Sequence, residues 1–586
     1  MNPERLLALY ERITEAPDAV PRLRRFILDL AVRGKLVPQD PTDEPASELL
    51  KRIAAEKARL VKVGEIRKPK ALLPITDEEV SFSLPNSWTW VRLGILSKIV
   101  TSGSRDWAKF YAPDGAIFVR MSNLSKYHYW LRLDNIQYIN PPDDGEGTRT
   151  RLEGGDILIS ITGDVGMLGL IPDGFGEAYI NQHTAMVRPM PEMNGRYLPE
   201  LFRSPFAQNQ FNAPQRGIKN SFRLTDVTQF VVPLPPLAEQ HRIVARVDEL
   251  MALLDRLAAA RTAREATRDR LGAASLARLT APDTPAEDFS DHARFALDAL
   301  PALTARPDQV KALRQTILNL AVRGKLVPQD PTDEPASALL KRIAAERAAF
   351  LDANYPNPSE AKTQKKKQAQ QRLPSSLPEL PLGWSWATLQ QCSLMVIDCK
   401  NKTAPYSSTG IKLVRTTNVR DGSLNSNDQK FVSEATYEAW SLRAKPEPGD
   451  ILITREAPMG EVCIIPDGER ICLGQRMMLA RLVPDTIDGR FMLYSLRDPD
   501  LMERVQDKPL GMTVQHLRVG GVETLLVPLP PLAEQQRLVA KVDAFMALCD
   551  RLEAALSAVD AARARLLQAL LHEALEPATT VQDAAA

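Results

Sequence analysis

The sequence predicts an α+β protein in which two tandem, largely β domains are separated by long helical spacers. Three observations lead to this fold class: a duplication across nearly the whole chain, two divergent segments rich in short β-branched runs, and two long stretches without proline that have helical periodicity. At 586 residues the chain is long enough for about three to five compact units. Its hydrophobic fraction of 44% and charged fraction of 25% are those of a globular protein.

The duplication consists of four blocks that occur twice in the same order. They are residues 30–47 repeated as 320–337, residues 49–56 repeated as 339–346, the Leu-Pro-x-x-Trp-x-Trp-x-x-Leu pattern at Leu84 repeated at Leu380, and residues 232–240 repeated as 527–535. Chance does not produce identity over such lengths, so the chain is one unit that occurs twice. We therefore expect an internal pseudo-two-fold arrangement.

The chain begins with a predicted helical arm, residues 1–80. Helical patterns cover residues 4–31 and 46–63, and their repeats cover residues 307–321 and 336–352. A Pro-Gln-Asp-Pro loop joins the two helices of each copy. The arm is thus the first copy of a helical pair that returns in the middle of the chain.

Two segments diverge between the repeated blocks, and each is predicted to form a separate domain, residues 81–235 and 380–530. Both contain short β-branched or aromatic runs bounded by Gly, Pro and Asp, such as residues 156–161 and 461–465. Runs of this kind favour strands. Each insert is therefore expected to be a mostly β domain with some helix.

Each insert is followed by a long predicted helix that starts after a Pro-Pro pair. The first lies in a central spacer, residues 236–379, which also holds the second repeat copy and a basic linker; the second forms the C-terminal spacer, residues 531–586. Apolar residues at steps of three and four predict a coiled-coil seam. The seam residues are Ile243, Val247, Leu250, Leu254 and Leu257 in the first helix and Leu538, Val542, Phe545, Cys549 and Leu552 in the second. Pairing of the two helices with each other is preferred, and packing of each inside its own domain is the alternative.

No catalytic motif in the sequence meets its own requirements. Residues 140–143, Asn-Pro-Pro-Asp, resemble the Asn-Pro-Pro-aromatic loop of amino-methyltransferases, but Asp143 replaces the aromatic ring that stacks on the target base. No glycine-rich turn for S-adenosylmethionine precedes this segment, so we expect a simple turn. The sequence also lacks the G-x-x-x-x-G-K-[ST] loop of an ATP-driven motor.

Metal and acid chemistry have no strong candidates either. The six histidines form no H-x-x-x-H pair, and none has zinc-ligand spacing to a cysteine. Asp156 and Asp450 are the best acid candidates because both halves contain them, but a Gly-Asp step into an apolar strand is typical of a turn. We expect no catalytic residue, no metal and no cofactor in this chain.

Composition indicates a cytoplasmic protein with no membrane contact. The five cysteines form no C-x-x-C pair, which is typical of reduced thiols, and no run of about 18 apolar residues is present. A formal net charge of +1 excludes a histone-like protein with a general attraction for polyanions. Affinity for DNA must therefore come from local charge.

Basic and amide side chains in the inserts are suited to reading DNA, because Arg, Lys, Asn and Gln recognise guanine and adenine edges in the major groove. Basic runs before each insert, which include Lys57 and Lys367, would contact phosphates or form a solvated face. The candidate DNA-binding residues are Arg105, Lys109, Arg120, Asn123, Lys126, Arg216, Lys219 and Asn220 in the first insert and Lys400, Lys402, Arg415, Asn418, Arg420, Arg455, Arg476, Gln515 and His516 in the second.

Three motifs that are paired across the halves resemble those of the specificity subunit of type I restriction-modification systems. They are the L-P-x-x-W-x-W-x-x-L starts at Leu84 and Leu380, the V-P-L-P-P-L-A-E-Q segments at Val232 and Val527, and the L-A-V-R-G-K-L-V blocks at Leu30 and Leu320. The resemblance covers essentially the whole chain. It implies two target-recognition domains, each reading one half of a bipartite, asymmetric double-stranded DNA target, and helical spacers that pack as an antiparallel coiled coil.

The resemblance also implies partners for the spacers. Two modification subunits would bring S-adenosylmethionine and methylate adenine, and restriction subunits would use ATP and magnesium to translocate and cut DNA. The N-terminal arm departs from the family pattern, because many relatives begin close to the L-P-x-x-W start. Two other interpretations stay open: a fused methyltransferase or nuclease with an unrecognised active site, and a coiled-coil scaffold that binds only proteins.

Overall fold

The chain divides into two compact units in a computed structural model, which describes residues 14–141, 147–213, 222–281, 286–506 and 516–575. The first unit comprises Met1–Arg264 and Asp560–Ala586, and the second comprises Glu265–Val559. Each unit contains an arm, an insert and parts of the two long helices. This mixture of helices and small sheets confirms the predicted α+β class.

The first unit holds an arm of two helices and a mainly β insert. Its helices are Ala19–Val32, Ala46–Lys62, Leu93–Leu96, Tyr197–Arg203, Pro205–Asn212 and Leu224–Gln229. Its strands are β1 (Thr89–Arg92), β2 (Ser97–Ser102), β3 (Tyr111–Ala112), β4 (Ala116–Val119), β5 (Gln137–Ile139), β6 (Ile157–Ser160), β7 (Leu168–Leu170), β8 (Ala178–Ile180), β9 (Thr184–Pro189) and β10 (Val231–Leu234). The first long helix, Leu237–Thr280, starts directly after β10.

The second unit repeats this order of elements. Its helices are Ala286–Leu303, Pro307–Val322, Ala336–Asp352, Pro358–Ala369, Leu389–Cys392, Glu434–Trp440, Gly489–Leu496 and Val519–Glu523. Its strands are β11 (Ser385–Thr388), β12 (Ser393–Asp398), β13 (Ile411–Val414), β14 (Val419–Arg420), β15 (Ser423–Leu424), β16 (Lys430–Val432), β17 (Ile451–Thr454), β18 (Val462–Ile464), β19 (Ile471–Leu473), β20 (Met477–Leu482) and β21 (Leu526–Leu529). The second long helix, Leu532–Leu575, starts directly after β21.

Both inserts are built on a four-stranded antiparallel sheet with the same strand order. The order is β2-β9-β6-β7 in the first unit and β12-β20-β17-β18 in the second. A second sheet differs, since it has the order β3-β5-β4-β8 in the first unit and β16-β13-β19 in the second. The divergent inserts therefore share one framework, as the scattered identities between them predict.

The repeated motifs that flank each insert pair with each other as a two-stranded ladder. Trp90 of β1 lies opposite Pro233 of β10, and Trp386 of β11 lies opposite Pro528 of β21. Proline is tolerated here because each strand of a two-stranded sheet has a free edge. The ladder brings the start and the end of each insert together on the helical framework.

The arm helices lie close to their predicted ranges, except that the first, predicted over residues 4–31, starts at Ala19 after a turn at residues 15–18. Each long helix has 44 residues. Residues 1–13, part of the first predicted helix, lie outside the described residues. Helix Pro358–Ala369 was not predicted, because its basic residues were assigned to a linker. Its start has a recognisable signal, since the Asn357 side chain accepts a hydrogen bond from the Glu360 N–H and a proline follows it.

The predicted seam residues pack inside their own units. Ile243 and Val247 are fully buried in one core with Ile27 of the first arm helix. Leu538 and Val542 are buried in the corresponding core of the second unit. Leu254 and Cys549 are also buried in these cores, and Leu250, Leu257, Phe545 and Leu552 are partly buried against them. This placement corresponds to the alternative interpretation, and pairing of the two helices with each other stays a prediction.

The C-terminal end of the second long helix completes the first unit. Leu567 and Leu570 form a small buried cluster with Ala19, and the Lys35 ammonium donates to the backbone carbonyl of Leu575 at 2.7 Å. Lys325, the repeat of Lys35, makes the same kind of contact in the second unit, to the carbonyl just after the first long helix. No helix among the described residues is long and apolar enough to cross a membrane.

Candidate nucleic-acid interface

One edge of the first insert collects four loops. The antiparallel register places Ser160, at the end of β6, opposite Thr184, at the start of β9, and the parallel register places the ends of β4 and β8 side by side. Loops that leave or join these strand ends must therefore meet. We call residues 103–106, 120–126, 161–166 and 181–183 the first loop edge.

Backbone hydrogen bonds hold the first loop edge together. The Gly103 N–H donates to the carbonyl of Asn181 at 3.1 Å, and the Ile161 N–H donates to the carbonyl of His183 at 2.9 Å. The backbone at Gly103 comes so close to β8 that a Cβ atom there would lie 1.9 Å from the Ile180 carbonyl oxygen. The loops thus have fixed positions relative to one another.

The second insert has an equivalent surface, which we call the second loop edge, made of residues 399–402, 415–418, 455–460 and 474–476. The Arg455 N–H donates to the carbonyl of Arg476 at 2.9 Å, as Ile161 does to His183 in the first unit. The Gly474 N–H donates to the carbonyl of Val414 at 2.8 Å. The two inserts therefore present matched loop positions with different side chains.

In the first unit, three of the predicted DNA-binding side chains are exposed. Arg105 is on the loop after β2, and Lys109 lies in the adjoining helical turn, with its ammonium 4.8 Å from the Phe110 ring centre. Lys126 forms an ion pair with Asp164, which links two loops of the edge. Arg120 is half-buried, and its Nε atom has no hydrogen-bond partner among the described residues. The candidates Arg216, Lys219 and Asn220, and Gln515 of the second insert, lie outside the described residues.

Asn123 and Asn418 are buried and hold their own loops, so the structure does not favour the prediction that they contact bases. They are 4% and 1% exposed. Each side-chain oxygen accepts a hydrogen bond from the backbone N–H three residues earlier, and each amide nitrogen donates to two carbonyls of its own loop. The side chains fix the loop after β4 and β13, which explains why both inserts contain Val-Arg-x-x-Asn.

Three predicted DNA-binding arginines of the second insert also hold the fold. The Arg455 guanidinium donates to the Leu517 carbonyl at 3.0 Å, and that of Arg415 donates to the carbonyl and carboxylate of Asp428. Arg420 donates to two carbonyls of its own loop. These groups keep the loops in place, and contact between them and DNA stays a prediction.

The second loop edge exposes three cations that are free to face a ligand. The Lys400 ammonium lies 4.1 Å from the Trp440 ring centre, and the Lys402 side chain extends into solvent. Arg476 is exposed and forms an ion pair with Glu456 across two loops. His516 is half-buried beside these loops. The exposed charge of this edge is thus positive.

Asp156 and Asp450 are structural, as the turn interpretation predicts. Two hydrogen bonds of 2.7 Å join Arg188 to the Asp156 carboxylate, and Arg481 holds Asp450 in the same way at 2.7 and 2.8 Å. Burial raises the pKa of both carboxyl groups above its ordinary value, although the arginines oppose this shift. Neither acid reaches solvent.

Lys57, in the basic run of the arm, stabilises the fold through hydrogen bonds to backbone carbonyls. Its ammonium donates to the carbonyls of Gly94 and Ser97 at 2.6 and 2.7 Å, at the end of the short helix Leu93–Leu96. Burial lowers its pKa to about 8. Arg347, the repeat of Lys57, caps the equivalent short helix. Lys367 is likewise engaged, in an ion pair with Glu523. Neither Lys57 nor Lys367 is available to phosphates.

Comparison with known proteins decides the family. A model of the type I restriction modification DNA specificity domain matches residues 85–264 and 400–559, more than half of the chain. The chain belongs to this family. Each match starts inside an insert and ends within the long helix that follows it, so the specificity domain occurs once in each half. The family resemblance of the repeated motifs is thereby confirmed.

Two relatives from Escherichia coli are similar over nearly their full length. The specificity subunit of the type I restriction enzyme EcoAI is 32% identical over 95% of this chain and 94% of the relative. That of EcoEI is 30% identical over the same shares. The chain is thus a type I specificity subunit, and a fused methyltransferase or nuclease is not favoured.

Solved structures of the family also align with this chain. The HsdS subunit from Thermoanaerobacter tengcongensis is 20% identical, covers 84% of this chain and 98% of its own length, and gives a TM-score of 0.39.

Among the described residues, no group of three or more His, Cys, Asp or Glu side chains is placed to hold a metal ion. The five cysteines are buried and free.

Proposed function

We propose that this specificity subunit reads a bipartite double-stranded DNA target, one half with each insert. The observation that carries the proposal is the pair of loop edges, which have matched backbone positions and different side chains. Phosphate contacts position a protein on DNA, and side chains that reach base edges select the sequence. Two equal frameworks with different side chains are suited to two different half-sites.

Local charge supports contact with DNA at these edges. Arg105 is exposed on the first edge, with Lys109 exposed in the adjoining helical turn, and Lys400, Lys402 and Arg476 are exposed on the second. Because the formal net charge of the whole chain is only +1, we expect the subunit alone to bind DNA weakly. Partner subunits then supply much of the contact with phosphates.

We propose that two modification subunits and the restriction subunits dock on the helical parts of the chain in the cytoplasm. Residues 30–47 and 320–337 are identical, so the chain offers the same surface twice. Two equal surfaces suit two equal partners. In this proposal S-adenosylmethionine belongs to the modification subunits, and ATP and magnesium belong to the restriction subunits.

An exchange of inserts tests the proposal. Residues 84–232 are replaced by the corresponding insert of a relative, the complex is assembled in cells, and methylated adenines are mapped across the genome. One half of the recognised sequence should change and the other should stay the same. A reciprocal exchange of residues 380–527 should change only the other half. A change of both halves by one exchange would contradict the proposal.

A further inference from the structure

In each insert, the turn that leads into the last strand of the four-stranded sheet, which we call the tip, contacts several loops of its edge. In the first unit this tip, between β8 and β9, carries Gln182 and His183; in the second, between β19 and β20, it carries Gln475 and Arg476. The Arg476 carbonyl accepts the Arg455 N–H, and the neighbouring Met477 carbonyl accepts the Cys399 N–H at 3.1 Å. The two tips are therefore anchored in the framework and occupy equivalent places.

The second residue of each tip has a partner on the loop after β6 or β17. The His183 ring nitrogen Nδ1 lies 2.7 Å from Thr162 Oγ1, and Arg476 forms an ion pair with Glu456. Thr162 and Glu456 both follow the residue whose N–H binds the tip carbonyl, so the pairs are equivalent. Equivalent positions thus hold a histidine in one unit and an arginine in the other, each paired with the loop that follows β6 or β17.

Arg476 has a backbone conformation that side chains disfavour. Its φ angle is +69°, in the left-handed region that glycine adopts most easily. Strained residues are kept where the position of a side chain matters to function. The Arg476 side chain is 51% exposed, and its ion pair with Glu456 restricts its rotation, so little conformational entropy is lost when a ligand binds.

We propose that Arg476 reads a guanine in the half-site of the second insert, and that His183 is the equivalent specificity-determining residue of the first. An arginine fork donates to guanine O6 and N7 in the major groove. The preceding glutamine is the same in both tips and cannot distinguish the half-sites. This inference rests on the proposed function, because it assigns base contacts to residues of the two loop edges.

The test uses the subunit assembled with its modification subunits and a library of DNA with random bases in both half-sites. Methylated molecules are selected and sequenced for the wild type, R476A, R476Q and H183A. R470A is the matched control. Arg470 precedes β19 whereas Arg476 follows it, both are ion-paired to a glutamate, and their side chains are 53% and 51% exposed.

We expect R476A and R476Q to reduce the preference for guanine at one position of the second half-site by about 10-fold to 100-fold. H183A should change one position of the first half-site only, and R470A should reproduce the wild-type sequence. If R476A and R476Q keep the guanine, or lower methylation of every sequence equally, the inference is overturned, because the contact is then absent or is made to the backbone. A wild-type complex that selects no sequence would instead overturn the proposed function.

Discussion

Trp88 donates a hydrogen bond from its indole Nε1 to Glu239 Oε2 at 2.9 Å, in a site where both side chains are buried. Gln39, from the Pro-Gln-Asp-Pro loop, donates to the same carboxylate. The second unit repeats the arrangement with Trp384 and Glu534, 3.0 Å apart. Three motifs that are distant in sequence thus meet at one carboxylate, which explains why these blocks are the same in both halves.

Loss of this carboxylate should destabilise one unit. E239A leaves the buried indole N–H of Trp88 without an acceptor and removes the contact with Gln39, so we expect a loss of about 2–4 kcal/mol in the free energy of unfolding of the first unit. Hydrogen exchange of the first insert measures the loss. E249A, on an exposed face of the same helix, should change it by less than about 0.5 kcal/mol. Equal effects of the two variants would show that the buried carboxylate is unimportant.

The buried ion pair of the second insert should be more sensitive to loss of one partner than to loss of both. D450A removes the buried partner of the Arg481 guanidinium and leaves only the exposed Glu447 as an ionic partner, which costs about 3–5 kcal/mol. D450L/R481M replaces the pair by apolar groups and should recover most of that stability. Urea unfolding, followed by a signal from the second insert, gives the free energy of unfolding of D450A and of D450L/R481M. A double variant no more stable than D450A would contradict this account.

Because the backbone at Gly103 lies close to the Ile180 carbonyl, a substitution at Gly103 should affect recognition of the first half-site only. G103A places a methyl group against the Ile180 carbonyl, so the first loop edge must shift. We expect the G103A complex to reject bases changed in the second half-site as strongly as the wild-type complex does. It should reject bases changed in the first half-site less strongly. G195A is the control, because a Cβ atom there meets nothing within 4 Å. Equal loss of discrimination in both half-sites would contradict the separation of the two edges.

Salt dependence distinguishes phosphate contacts from base contacts. If Lys402 binds a phosphate, K402A should weaken binding of all sequences alike and reduce the slope of log affinity against log salt concentration by about 0.9. Binding of the assembled complex to its target at several salt concentrations gives this slope. K445A removes an exposed lysine that is ion-paired to Glu438 and does not belong to the four loops of the edge, and it should leave the slope unchanged. A sequence-dependent effect of K402A would instead identify Lys402 as a base reader.

Much of the fold follows from the sequence, because repeated blocks and helical periodicity report on elements that pack against a core. The arm helices and both long helices lie close to where the pattern predicts them. Side-chain direction does not follow in the same way. Asn123 and Lys57 are residue types that bind DNA, but local geometry turns them toward backbone carbonyls. Residue type alone does not report that direction, so the candidate interface was only partly predictable.

The closure of the first unit by Leu567 and Leu570 also determines the order of events during synthesis. A chain emerging from the ribosome presents Ala19 and the rest of the first arm helix long before the helix that covers them exists. Domains generally fold as units from the N-terminus during synthesis, but the residues that cover this arm helix are made more than 500 residues after it. A chain that stops between the second insert and Leu567 would therefore leave the apolar face at Ala19 uncovered, although both inserts had been made.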